Sequence, residues 1–169
     1  FDSVTGLTAT IVHLANHAVT KGGIFLLLGA VAASMGGVTL ARTQGMGRVM
    51  PLTSFGIVLC GLSLIGVPGT AGFISKWYLI LAALEQGQWW LVFLIVASSL
   101  LAAAYVWRFV DAAYFREPRK DTADGGAVPW SMGVPAGVLV AAAVYFGLDT
   151  SFTVGSAAQA AALLMGGPR

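Results

Sequence analysis

Apolar residues run along this chain in four long stretches separated by short polar segments, and each stretch is long enough to be read as a membrane crossing. The first extends from about Leu7 to Met35 and ends at Gly36-Gly37, where helix-breaking chemistry begins. The second runs from Pro51 to Leu84, about 34 residues, where an unbroken helix needs only roughly 20 to cross. Its middle reads Gly66-Val-Pro-Gly, so a helix broken midway, with extended backbone at the break, is predicted. The third runs from about Gln88 to Phe115, with Trp89 and Trp90 at one end and Trp107 and Tyr114 at the other, the placement of interfacial aromatic anchors. The fourth runs from Trp130 to about Leu148. The tail from Thr150 to Arg169 is Ala- and Gly-rich and weakly apolar, which fits a surface helix or a partial fifth crossing. Residues 1–148 therefore form one membrane domain and 149–169 a tail.

Composition agrees with the pattern. Hydrophobic residues make up 57% of the chain and charged residues 9%, against roughly 25% charged in soluble domains. The prediction is an all-α integral membrane protein. Nine Lys and Arg stand against seven acids, for a net charge of +2 with no dense basic run, which excludes nucleic-acid binding as the main activity. The lone Cys60 excludes an intrachain disulfide and reads as a small core residue. The chain begins at Phe1 with no signal-peptide pattern, as expected for part of a longer polypeptide.

Orientation follows from the basic loops. Four crossings put Arg42 and Arg48 on the same side as Arg116, Arg119 and Lys120, while Glu85 and Asp149 fall on the other, so loops 42–48 and 116–120 are expected to face the cytoplasm.

The chemistry lies in the few ionisable groups within the apolar stretches. Counting back from Glu85 at about 1.5 Å per residue places Lys76 some 13 Å inside a hydrocarbon layer roughly 30 Å thick. A lysine at that depth beside a helix break marks a functional site. Gly66, Pro68, Gly69 and Gly72 allow an unwound stretch whose freed backbone groups can solvate it. The alternatives are a snorkelling anchor flanked by Trp77 and Tyr78, and a Pro kink without consequence. In the first stretch His13, His17 and Lys21 recur every four residues, about 400° of helix, and so form one drifting stripe. Groups of these types exchange protons near neutral pH, and waters between them give a proton relay. Competing readings are a zinc site, a snorkelling Lys21 and hydrogen-bonded core histidines. Arg108 and Asp111, three apart, read as an ordinary interfacial pair. No metal and no cofactor are expected.

Two motifs match a family. His13-x3-His17-x3-Lys21-Gly-Gly-Ile-Phe-Leu, and Leu62-Ser-Leu-Ile-Gly-Val-Pro-Gly-Thr-Ala-Gly-Phe-Ile-Ser-Lys76, resemble the antiporter-like subunits shared by Mrp-type cation/proton antiporters and respiratory complex I. Gly45-Met-Gly-Arg-Val-Met-Pro-Leu-Thr and Ser98-Ser-Leu-Leu-Ala-Ala-Ala-Tyr-Val-Trp-Arg look most like the Mrp D subunits. The resemblance implies a larger fold of about fourteen helices built as two inverted repeats, each with a broken helix, of which this chain would be the C-terminal part. It implies that Lys76 is the lysine of the second repeat's broken helix and that His13, His17 and Lys21 belong to the polar helix before it. The first repeat's glutamate and lysine have no match here.

The functions then implied are proton translocation coupled to monovalent cation (Na+ or K+) antiport, proton pumping in a redox-driven complex, or a non-conducting structural role. The expected partners are other membrane subunits, the rest of the same polypeptide, protons, cations and lipid. The expected location is the bacterial inner membrane.

Overall fold

The computed structural model describes residues 3–118 and 128–166. Arg119 and Lys120, which enter the orientation argument, lie outside the described residues.

Helix α1 (Val4–Met35) opens on Ser3, whose Oγ accepts from the Gly6 amide at 3.0 Å, and closes on Gly36 in the left-handed region at φ 68°. Its 32 residues span about 48 Å, and it is the central post against which most other elements pack. A short helix α2 (Met46–Val49) follows the loop, and then α3 (Pro51–Ile65) and α4 (Ala71–Glu85). At 15 residues each, these two reach only about 22 Å apiece, too short to cross a bilayer alone.

Their register on α1 shows that they form one path. His13 meets Ser75, Asn16 meets Ala71, Thr20 meets Ser63, Gly23 lies on Cys60 and Leu27 on Gly56. Positions rise along α1 as they fall along α4 and α3, so the broken segment runs antiparallel to α1 from end to end. Helix α5 (Trp89–Val110) runs back along the other side of it, with Ser99 at Lys76 and Val106 against Gly61.

The last turn of α5 is a π-helical segment, Asp111–Phe115. It settles two contacts. The Ala112 carbonyl accepts the Gly45 amide at 2.9 Å, tying the loop before α2 to the helix. Asp111 pairs with Arg116, the extended residue at which the π segment ends, at 2.8 Å rather than with Arg108. At this end of the bundle Leu27, Val31, Met46, Met50, Ile57, Ala113 and Ala136 form an apolar core.

Helix α6 (Trp130–Leu148) is antiparallel to α1, with Met132 over Gly29 and Leu139 over Gly22. Its end corrects the sequence reading. Gly147 packs directly on the backbone of Gly69 and Thr70, so α6 stops at the depth of the α3/α4 break and Asp149 does not share the surface of Glu85. Glu85 ends α4, 15 residues and about 22 Å farther along. Hydropathy fixes the length of an apolar run but not its register against its neighbours. Asp149 then turns the chain, its Oδ1 accepting the Ser151 amide at 3.0 Å, and α7 (Ser151–Leu164) packs on α1 with Ala157 and Ala161 buried.

Candidate functional site

The break between α3 and α4 is a compact turn. Gly66, at φ 92°, closes α3 in the left-handed region, where its amide reaches the Leu62 and Ser63 carbonyls. Val67-Pro68-Gly69-Thr70 then forms a type II turn, with Pro68 at the position that needs φ near −60°, Gly69 at φ 87° where a positive value is required, and the Thr70 amide bonded to the Val67 carbonyl at 3.3 Å. Gly72 lies so close to Ser63 that a Cβ there would overlap the Ser63 carbonyl. This approach lets the Gly72 amide donate to Ser63 Oγ at 3.0 Å and holds the two helix ends together.

The turn leaves carbonyls at the end of α3 without helical partners, and Lys76 uses two of them. Its Nζ donates to the Leu64 carbonyl at 2.7 Å, the Ile65 carbonyl at 3.2 Å and Ser99 Oγ at 2.6 Å. An ammonium has three N–H groups, and all three are taken. The C-terminal end of a helix also carries partial negative charge, so the end of α3 is a favourable place for a cation. Four positions singled out from sequence therefore divide the work: Gly66 ends α3, Pro68 and Gly69 make the turn, and Gly72 allows the close approach.

On the α1 side, His13 Nδ1 lies 3.0 Å from Ser75 Oγ, which itself donates to the Gly72 carbonyl at 3.1 Å. A hydroxyl has one proton, so His13 Nδ1 is the donor in this pair and Nε2 is left as the proton-accepting nitrogen. The His13 and His17 rings stand 5.4 Å apart between centroids. Asn16 Nδ2 donates to the Ala71 carbonyl at 2.9 Å, and Thr20 Oγ1 pairs with Ser63 Oγ at 3.0 Å. A small cavity of about 10 Å³ is walled by His13, Asn16, His17, Thr20, Ser63, Ser75 and Lys76, among others.

The structure thus brings three of the four sequence-predicted proton carriers, His13, His17 and Lys76, to one cavity. Lys21 lines a second, apolar cavity of about 270 Å³ with Ile57, Tyr105 and Phe109, and Leu64 stands in the walls of both. Cys60 is buried under Gly23, away from the histidine pair. Sequence reasoning passed over Asn16, Thr20, Ser63, Ser75 and Ser99, which supply the uncharged hydrogen-bond partners around His13, Lys76 and the break.

A family model described as NADH:quinone oxidoreductase/Mrp antiporter, TM, matches residues 1–102. The N subunit of the NADH-quinone oxidoreductase of Desulforudis audaxviator is 41% identical over 114 residues, which is 68% of this chain and 23% of that protein. The D-type subunit of the Na(+)/H(+) antiporter of Bacillus subtilis is 25% identical over 159 residues, 94% of this chain and 32% of that protein. The chain therefore spans a third or less of these curated relatives. In three dimensions it superposes on a chain of the Mrp complex from Dietzia sp. DQ12-45-1b with a TM-score of 0.86 at 23% identity, over 96% of this chain and 38% of that one. The antiporter-like, all-helical, multi-pass membrane fold expected from the sequence is the fold found. With more than half its length matched, the chain belongs to the NADH:quinone oxidoreductase/Mrp antiporter family of transmembrane subunits.

Proposed function

We propose that this chain is the C-terminal part of a membrane subunit that translocates protons in exchange for a monovalent cation, Na+ or K+, within a multisubunit complex. Lys76 is its switching group, and the chain carries ion transport rather than covalent catalysis. One observation carries the reading: a lysine at the centre of a broken helix has every N–H engaged by helix-end carbonyls and a hydroxyl, beside a cavity walled by two histidines. Such a cage stabilises the charged form within the bilayer. Losing a proton removes the charge that the α3 carbonyls attract, so the cage and the break relax together. Protons reach Lys76 from His13 and His17, with Lys21 in the adjoining cavity, which shares Leu64 in its wall. The conducting part is residues 1–148, with 149–169 as its closing segment. Loops 42–48 and 116–120 face the cytoplasm of a bacterial cell whose inner membrane holds the complex.

The test is Lys76→Ala in the full complex, assayed for proton-coupled cation exchange in everted vesicles. Loss of exchange with normal assembly is expected, and full activity would sink the assignment, leaving the site no role in transport.

A second reading has its own support. The 41% identity to an NADH-quinone oxidoreductase subunit favours a redox-driven pump that uses the same residues. Proton movement that starts on addition of a reduced electron donor, and not on imposing a cation gradient, would select that reading.

A further inference from the structure

We propose that Asn16 holds a single water molecule in the cavity between the histidines and Lys76, and that this water is the bridge by which a proton passes between Lys76 and His17. The inference rests on the relay reading above and adds to it a positioning residue.

The amide of Asn16 has a fixed orientation. Its Nδ2 faces the Ala71 carbonyl at 2.9 Å, and a carbonyl can only accept, so Oδ1 is the other end. Asn16 is 1% exposed, and Oδ1 has no hydrogen-bond partner among the described residues. The one other buried side-chain atom in that condition there, Ser54 Oγ, is on α3 at the far end of the bundle and does not line this cavity. A buried acceptor left unmade is costly, and buried water is the usual remedy where space and polar partners coincide. Both coincide here. The cavity measures about 10 Å³, about the probe-sphere volume one water requires. Asn16, whose Oδ1 is the unpartnered acceptor, stands in its wall together with His17, His13 and Lys76. A metal cation is a poor occupant, because the wall includes an ammonium and offers no carboxylate or thiolate.

The transfer balances. One N–H of Lys76 turns from the Ile65 carbonyl, its longest contact at 3.2 Å, to the water oxygen. That N–H bond breaks as a new O–H forms, while an original O–H of the water breaks as an N–H forms on the His17 ring. The products are a neutral amine, an imidazolium and the same water, still donating to Asn16. Oδ1 neither gains nor loses a proton, so Asn16 acts by placing the water.

The experiment uses the assembled complex. A wild-type map at water-resolving resolution is expected to show one peak within about 3.2 Å of Asn16 Oδ1, and a dry cavity would overturn the proposal without the need for any variant. Asn16→Leu, close in volume but without an acceptor, is expected to lose that peak and to slow proton uptake in proteoliposomes at least tenfold. Asn16→Ser loses the Ala71 contact as Leu does but keeps a hydroxyl for water, and should recover much of the rate. Equal rates for the two variants would assign Asn16 to structure alone. If Lys76→Ala abolishes transport while Asn16→Leu leaves it intact, the water bridge falls and the relay stands. If both transport normally, the relay itself falls.

Discussion

Lys76 Nζ donates to the Leu64 carbonyl at 2.7 Å, so a side chain from the second half-helix closes the open end of the first. Under the proposed function, charge on the lysine and geometry of the break change together. A permanent cation should then hold the break in a single state. Lys76→Arg keeps the charge but cannot release a proton. It is expected to assemble at wild-type levels and to lose proton-coupled transport as fully as Lys76→Ala, measured as proton uptake in proteoliposomes.

Ser99 on α5 supplies the shortest of the three lysine contacts, 2.6 Å. A hydrogen bond to a charged group contributes about 1.5–3 kcal/mol. Ser99→Ala is therefore expected to slow transport by roughly tenfold or more, with Ser99→Thr close to wild type. A wild-type rate for Ser99→Ala would show that two carbonyls suffice.

Gly72 and Gly69 should respond differently to the same added methyl group. At Gly72 a Cβ overlaps the Ser63 carbonyl, and the helix ends must separate, whereas at Gly69 the space is open and only the positive φ opposes it. Gly69→Ala is expected to cost about 1–2 kcal/mol, and Gly72→Ala about 3 kcal/mol or more, in line with severe overpacking. Thermal unfolding of the purified complex, followed by intrinsic fluorescence, separates the two.

The Asp111–Arg116 pair is solvent-facing, with the side chains 41% and 57% exposed. Such pairs contribute about 0–1 kcal/mol. Asp111→Asn should leave stability within that range at physiological salt, and a shift of many degrees in the same unfolding assay would mean that the π turn depends on the pair.

Much of the site was legible because charge and backbone breakers are conspicuous in apolar helices. Lys76, the histidine stripe and the Gly66–Gly72 break could all be named without a structure. The uncharged partners could not. A serine or threonine in a membrane helix most often bonds back to its own preceding turn, as Ser34 does to Ala30 and Ser98 to Ile95, both at 2.7 Å. Ser99, adjacent to Ser98 and of the same type, reaches Ile95 at 3.2 Å and also meets Lys76. Only the rotation of α5 against α4 distinguishes them. The end of α6 was hidden for a related reason: its 19 residues are long enough to cross, and nothing in the sequence says how far along α1 they begin.

Gly147 sits so close to the backbone of Gly69 and Thr70 that a methyl group on Gly147 would overlap the turn. A joint without clearance transmits motion. If Lys76 switches as proposed, a shift of the turn is expected to move α6 and, beyond Asp149, α7 with it. Cross-linking α7 to α1, on which it packs, is then expected to slow transport in the assembled complex, and an unchanged rate would show that the turn moves alone.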